Sequence, residues 1–128
     1  MNKLIIDVAS EKIFLMIISN ASIYNITHEN TKINYEKLTI IINDFLISNN
    51  LKIADISRLY INKGPGSFAG IRNSLSIAKA FNVAKKIDYY CYNLDDFKDE
   101  SDLSYESIPN LCKKYKIKKN LINPIYIS

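Results

Sequence analysis

Gly64-Pro65-Gly66-Ser67-Phe68-Ala69-Gly70 contains every glycine of the chain and joins a predicted strand to a predicted helix. The residues before it, Arg58–Asn62, have the β-rich, apolar composition of a strand. The helix predicted after it extends to about Ala84. Two glycines around a proline of fixed φ suit a sharp turn, and the serine stands at the N-cap position of the helix. This stretch, the glycine loop, therefore predicts a strand–turn–helix unit of an α/β fold.

Three chemical interpretations of the glycine loop compete. Free N–H groups at the start of a helix attract anions, so a phosphate contact stays open. The spacing, however, matches neither G-x-x-x-x-G-K-[ST] nor G-x-G-x-x-G followed by an acid. A nucleophilic Ser67 would need G-x-S-x-G, and Pro65 stands where the first glycine belongs. The third interpretation, a structural turn with a good cap, is the one we favour.

Further strands and helices are predicted on both sides of the glycine loop. The additional strands are Lys3–Val8, Lys12–Ile18, Ser22–Thr27 and Asp88–Tyr92, with a hairpin turn at Ser19-Asn20-Ala21. The helical segments are Asn34–Ser48, a single turn at Leu94–Phe97 and a short helix at Ser107–Tyr115. The order βββαβαβα predicts a mixed sheet covered by helices. Three antiparallel strands followed by parallel crossovers are the ribonuclease-H-like pattern, found in the lobes of actin and Hsp70-type ATPases.

The predicted helix Asn34–Ser48 carries apolar residues on two opposite sides. The first side has the spacing of a core-facing stripe and consists of Leu38, Ile41, Ile42, Phe45 and Leu46. A second stripe repeats every seven residues and projects roughly 180° from the first. Its members are Ile33, Ile40 and Ile47. Such a helix is either sandwiched inside the fold or exposes a contact surface, and in a domain this small we favour the contact surface.

The helix after the glycine loop has a similar two-sided pattern. Phe68, Ile71 and Leu75 are predicted to pack on the sheet. The other side combines small and apolar residues, which would let a partner helix approach closely. Its members are Gly70, Ser74, Ile77 and Phe81, with Ala84 beyond them. Together with the isoleucine stripe, these four residues form the predicted partner interface.

Length and composition indicate one domain. The 128 residues, 48% of them hydrophobic, can fill one core but not two. A charged fraction of 23% and a mean hydropathy of −0.07 are typical of a soluble domain. No apolar run approaches the roughly 18–20 residues of a membrane helix, and no export signal is recognisable. Cys91 and Cys112 match neither a disulfide framework nor a zinc motif. We therefore expect a cytoplasmic domain with reduced thiols and no membrane association.

Five lysines are concentrated near the C-terminus: Lys113, Lys114, Lys116, Lys118 and Lys119. They contribute +5 within seven residues, so the net charge of +4 leaves −1 for the rest of the chain. Such a cluster suits a nucleic acid, and it equally suits a solvated tail. We favour the solvated tail and keep a tRNA contact through these lysines as the alternative.

The stretch Gly64–Arg72, followed by Ala78-Lys79, resembles the motif of the TsaB (YeaZ) family, which reads GPGSFTGLR with AKG shortly after. The matching motif residues are Gly64, Pro65, Gly66, Ser67, Phe68 and Arg72. Weaker matches are Ile6-Asp7-Val8-Ala9-Ser10, Asn34-Tyr35-Glu36-Lys37-Leu38 and the terminal Pro124-Ile125-Tyr126. The family's threonine, helix glycines and histidine are replaced by Ala69, Ser74, Ala80 and Asn34.

The resemblance covers about residues 1–97 and implies one ribonuclease-H-like lobe, with 98–128 as a short tail. The family's second lobe is expected to be nearly absent. Family members are implied to be non-catalytic partners of TsaD, which transfers a threonylcarbamoyl group to the adenosine beside the tRNA anticodon. An ATPase, TsaE, joins the same complex. The family dimerises through a bundle of the two helices above, so a homodimer is a further expectation, and no cofactor is implied for this chain.

An enzyme is the less favoured interpretation. An actin-type ATP site needs two lobes across a cleft, and only one lobe fits here. Asp7 stands where that superfamily has a metal-linked carboxylate, and a nuclease would need several more acids, of which Glu36 is one candidate. His28 is the only histidine, so no histidine pair can bind a metal. We expect a non-enzymatic partner subunit; the alternative is a small RNA-binding module that uses Lys113–Lys119.

Overall fold

The computed structural model describes residues 1–20 and 22–122. Ala21 of the predicted hairpin turn and the segment Pro124-Ile125-Tyr126 lie outside the described residues. The strands form one sheet in the order β3-β2-β1-β4-β5. Their bounds are β1 Asn2–Asp7, β2 Lys12–Ile18, β3 Ile23–Glu29, β4 Ile56–Asn62 and β5 Asp88–Tyr92. The first three strands pair antiparallel, whereas β1/β4 and β4/β5 pair parallel, which confirms the mixed ribonuclease-H-like sheet.

The central strand β1 is apolar on both sides because both faces of the sheet are covered. Leu4 and Ile6 point into one core, and Ile5 points into the other. All three residues are fully buried. A continuous apolar run is typical of a strand with two buried faces, and this explains why β1 shows no alternation.

Three helices cover the first face of the sheet. They are α1 (Lys32–Glu36), α2 (Leu38–Ser48) and α3 (Phe68–Lys85). The sequence predicted one helix over Asn34–Ser48, and the structure divides it at Lys37. Thr31 caps α1 by accepting the N–H of Asn34, so the helix begins earlier than predicted. The carbonyl of Tyr35 accepts a hydrogen bond from the side chain of Asn73 on α3, which holds the junction against its neighbour.

The C-terminal segment covers the second face. A helix, α4 (Ile108–Lys114), buries Ile108, Leu111 and Cys112. Together with Phe97, they pack against Ile5, Met16, Tyr60 and Tyr92 of the sheet. The sequence analysis treated residues 98–128 as a tail; in the structure, the part that runs through α4 supplies the second core.

Both cysteines are buried thiols, one in each core. Burial raises the pKa of Cys91 and of Cys112 to about 12, so both stay protonated at neutral pH. Within the described ranges, none of the helices combines the length and apolarity that a bilayer crossing requires.

Truncating Ile108 to alanine tests whether α4 belongs to the core. Ile108 is 1% exposed, so Ile108→Ala should lower the free energy of unfolding by about 2–4 kcal/mol in urea denaturation. The control is Leu103→Ala, because Leu103 precedes the same helix and is 40% exposed. We expect the control to lose less than about 1 kcal/mol. Equal losses in the two variants would contradict the packing of α4 on the sheet.

Candidate functional site

The glycine loop packs directly on the residues that follow β1. The N–H of Ser67 donates to the carbonyl of Ala9 at 3.0 Å. The Ser67 hydroxyl accepts the N–H of Gly70 at 3.3 Å, so Ser67 is the N-cap of α3 as predicted. Gly64 has a φ of 108°, a conformation that disfavours other residues. The loop is therefore a turn held against the sheet.

Two glycines of the loop are required by space. A Cβ added to Gly66 would lie 2.0 Å from the carbonyl oxygen of Ala9. A Cβ added to Gly70 would lie 2.4 Å from the carbonyl oxygen of Val8. Both contacts are with backbone, which cannot turn aside as a flexible side chain can. The close approach of two backbone segments explains why a chain with few glycines has glycine at positions 66 and 70.

This geometry favours the structural interpretation of the loop. The N–H groups of Ser67 and Gly70, which a phosphate would need, donate within the chain instead. Gly64 also donates its N–H internally, to the side chain of Asn62. The loop positions α3, and we therefore expect any functional site on the surfaces around the loop.

Asp7 connects distant parts of the chain on the second face. Its side chain is 4% exposed and accepts three hydrogen bonds. Oδ1 accepts the N–H of Ala9 at 3.1 Å, and Oδ2 accepts the amide of Asn62 at 3.1 Å. The hydroxyl of Tyr105, just before α4, donates to Oδ2 at 2.8 Å. Asp7 therefore holds β1, β4 and the C-terminal segment together.

Asn30 is a positioning residue that the sequence analysis did not single out. Its side-chain amide donates to the carbonyls of Val8 at 3.1 Å and Ser10 at 2.6 Å. It thereby fixes the backbone against which Gly70 packs. An asparagine directly after a strand is a common loop residue, so the sequence carried no signal for this role.

The other residues considered as metal ligands, Glu36 and His28, lie apart from Asp7. Glu36 is exposed on α1, which covers the face opposite to the Asp7 side chain. His28 lies in β3, the edge strand farthest from β5. Across the described part of the chain, no group of three or more His, Cys, Asp or Glu side chains is placed to hold a metal ion.

The isoleucine stripe is exposed on the outer side of α1 and α2. Ile33 is 66% exposed, Ile40 is 59% exposed and Ile47 is 58% exposed. The opposite side of α2 is buried as predicted, through Leu38, Ile42, Phe45 and Leu46, with Ile41 partly buried. Of the two arrangements considered from sequence, a sandwiched helix and an exposed stripe, the structure shows the exposed stripe.

Open grooves run between α2 and α3 beside this stripe. One groove, of about 220 Å³, is lined by Ile40 and by Phe81 of α3. Another, of about 300 Å³, is lined by Tyr35 and Ile77. Ile77 and Phe81 are partly buried because they pack against the core between the two helices. The exposed apolar surface thus continues from the isoleucine stripe to the edge of α3.

The predicted sides of α3 need correction. Gly70 and Ser74 were assigned to the partner interface, but both are buried. Gly70 packs on Val8, and the Ser74 hydroxyl donates to the carbonyl of Ile71 within the helix. Phe68, assigned to the sheet side, is 50% exposed, and the guanidinium of Arg72 lies 6.0 Å from its ring. Gly70 faces the sheet because only a residue without a Cβ fits this close to the Val8 backbone.

The five C-terminal lysines are exposed and differ in their partners. Lys114 pairs with Glu100 at 3.0 Å, and Lys119 pairs with Asp88 at 3.5 Å. Lys113 and Lys116 instead line a pocket of about 400 Å³ on the second face. Two lysines of the cluster thus form ion pairs and two line a cavity, while Lys118, within the described residues, belongs to neither group.

Comparisons with known proteins support the family resemblance of the glycine loop and the predicted fold. The sequence model of one family, described as TsaD, tRNA N6-adenosine threonylcarbamoyltransferase, matches residues 28–93. The match spans half of the chain and includes α1, α2, the glycine loop, α3 and β5. This chain belongs to the TsaD family. No curated protein sequence matches it significantly.

Among solved structures, this TsaD-family chain is similar to YeaZ, also called TsaB. YeaZ from Pseudomonas aeruginosa superimposes with a TM-score of 0.66 at 14% identity, over 72% of this chain and 43% of that one. An uncharacterized protein with similarity to peptidase YEAZ from Pseudomonas aeruginosa gives a TM-score of 0.67 at 13% identity, over 79% and 49%. The chain is therefore a TsaB/YeaZ-like TsaD-family protein that spans less than half the length of these neighbours.

Adding one methyl group to the glycine loop tests the close approach. Gly66→Ala should lower the free energy of unfolding by at least about 2–3 kcal/mol, because the new Cβ collides with the Ala9 carbonyl. Ser67→Ala removes only the cap of α3 and should cost about 1 kcal/mol. Urea denaturation of both variants gives the comparison. If Gly66→Ala costs no more than Ser67→Ala, the loop is not packed as described.

Proposed function

We propose that this chain is a non-catalytic, cytoplasmic partner of a TsaD-type enzyme in the N6-threonylcarbamoyladenosine modification of tRNA. The partner surface consists of Ile33, Ile40 and Ile47, continued by Ile77 and Phe81 at the grooves beside α3. The observation that carries the proposal is an exposed apolar stripe on a TsaD-family lobe. The sheet and the helices α1 to α3, which carry this surface, all lie within residues 1–97.

The exposure of the stripe supports a protein partner. Three isoleucines, each more than half exposed, are aligned on two consecutive helices. Scattered apolar residues are normal on a surface, whereas apolar residues aligned in one patch are typical of interaction sites. Ile40 also lines a groove with Phe81, so a partner side chain could enter between the helices. Burying such side chains is the main source of free energy in association.

The chemistry of Asp7 supports the non-catalytic part of the proposal. Catalytic carboxylates in this superfamily act by holding a metal or a water molecule. Here both carboxylate oxygens accept internal hydrogen bonds, from Ala9, Asn62 and Tyr105. Opening the site would require the donors of three separate segments to move away. We therefore assign Asp7 a structural role.

The same surface suits a helical bundle with a second copy of the chain. We propose that a homodimer forms through it when the TsaD-type subunit is absent, since a C2 interface uses the same patch on both copies. A TsaE-type ATPase is a further proposed component of the complex. The rival function, RNA binding through Lys113–Lys119, uses the opposite face of the sheet, so the two functions can be separated by mutation.

A charge placed in the stripe tests the proposal. Ile40→Asp should weaken binding to the TsaD-type subunit by at least about thirtyfold, because hot-spot residues contribute about 2 kcal/mol or more. The measurement is biolayer interferometry with the immobilised subunit. Ile40 is 59% exposed, so the variant should keep its free energy of unfolding within about 1 kcal/mol.

The matched control is Ile23→Asp, which places the same charge on β3 at a residue that is 43% exposed. This variant should bind like the wild type. Light scattering of both variants tests the homodimer, which Ile40→Asp should dissociate. Normal binding by Ile40→Asp, or equal loss in both variants, would refute this interface.

A further inference from the structure

We propose that a basic pocket on the second face of the sheet binds phosphate groups of an RNA strand. The pocket has a volume of about 400 Å³. Its lining includes four cationic side chains and two tyrosines: Lys3, Arg58, Lys113, Lys116, Tyr60 and Tyr90.

The four cations come from two separate layers of the fold. Lys3 on β1 and Arg58 on β4 are neighbours in the register of the parallel pair. Lys113 stands in the last turn of α4, and Lys116 follows the helix with a φ of 56°. Of these four cations, only Lys113 and Lys116 belong to the C-terminal cluster visible in the sequence. The fold adds a lysine and an arginine that are more than fifty residues away.

The lining of the pocket does not balance its own positive charge. No carboxylate is among the residues that line it. Within residues 1–20 and 22–122, Lys113 and Lys116 form no ion pair, whereas Lys114 and Lys119 do. Like charges that converge on one cavity repel each other, and an anion between them removes that repulsion.

The acid that pairs in register with Arg58 is already engaged. Asp88 on β5 accepts a hydrogen bond from the amide of Asn120 at 3.0 Å and pairs with Lys119 at 3.5 Å. These contacts, together with the charge of Arg58, lower the pKa of Asp88, so it stays ionised. Asp88 thus offsets part of the Arg58 charge, and the three lysines of the pocket keep theirs.

The two tyrosines lie side by side in the pocket, and Tyr60 can contribute a donor without adding negative charge. Their rings are stacked, with centroids 5.2 Å apart and an interplanar angle of 13°. Burial raises the pKa of Tyr60, and the nearby Arg58 opposes this only in part. The Tyr60 hydroxyl is therefore protonated at neutral pH. A hydroxyl next to a guanidinium offers a phosphate oxygen two kinds of donor.

The positive charge continues beyond the pocket, which favours a ligand with several phosphates. Lys118 lies outside the lining on the same short segment, and the cluster adds +5 to a chain that is otherwise close to neutral. The choice of RNA rests on the proposed role in tRNA modification. A mononucleotide would use the pocket alone, whereas a strand would also contact the lysines around it.

The test uses the full chain and a fluorescein-labelled 17-nucleotide anticodon stem-loop RNA. Fluorescence anisotropy at 50, 100 and 200 mM KCl gives the affinity and its salt dependence. The pocket variant is Lys113→Gln/Lys116→Gln. The control is Lys85→Gln/Lys98→Gln, which removes the same charge from two exposed lysines outside the pocket lining and outside the C-terminal cluster.

We expect the pocket variant to bind at least tenfold more weakly, with a salt slope reduced by about one to two. The control should lose less than threefold. No RNA binding by the wild type at 50 mM KCl would overturn the proposal, and so would equal losses in the two variants. Isothermal titration with inorganic phosphate and with AMP completes the test, because pocket-dependent binding of these without RNA binding would assign a small-anion site instead.

The result of the RNA-binding test does not depend on the partner surface. Ile40→Asp lies on the opposite side of the sheet and should bind RNA like the wild type. If the pocket fails while Ile40→Asp still disrupts the TsaD-type complex, only the RNA site is wrong. If RNA binds through the pocket and Ile40→Asp leaves the complex intact, the proposed partner surface is wrong.

Discussion

The buried carboxylate of Asp7 connects segments of the chain that are far apart in sequence. It accepts hydrogen bonds from Ala9, Asn62 and Tyr105, and Asn62 in turn accepts the N–H of Gly64. A buried charge is stable only when donors surround it, so these segments hold one another in place. The end of β1, the start of the glycine loop and the approach to α4 are fixed together. The position of α3 on the first face and the closure of the second face both depend on this network.

The glycine loop has a mechanical role within that network. Gly66 and Gly70 let the backbone of the loop approach Ala9 and Val8, and the Ser67 cap starts α3 at this contact. The loop therefore fixes where α3 begins on the first face of the sheet. The isoleucine stripe is exposed because α2 buries its opposite side, and the grooves lie between α2 and α3. The structural turn favoured from the sequence thus places α3 beside the proposed partner surface on one side of the sheet, while the second face carries a basic pocket.

Much of the fold could be predicted because local patterns and tertiary packing agree. Strands β2 and β5 match their predicted bounds, and the buried side of α2 follows its apolar spacing. The predicted orientation of the first turn of α3 was wrong. The spacing of apolar residues does not reveal that Gly70 must face the backbone of Val8. The packing of α4 was also missed, since a short helix in a lysine-rich segment carries a weak signal. The basic pocket was beyond sequence reasoning altogether: the register of two parallel strands brings Lys3 and Arg58 together.

The central claim is that this chain serves tRNA modification through a protein partner. The most direct measurement is the N6-threonylcarbamoyladenosine content of total tRNA, determined by nucleoside mass spectrometry in cells that lack the chain. The account predicts that the modified nucleoside falls to a small fraction of its normal level. It also predicts recovery when the wild-type chain is supplied and no recovery with Ile40→Asp. An unchanged nucleoside level in cells without the chain would contradict the account.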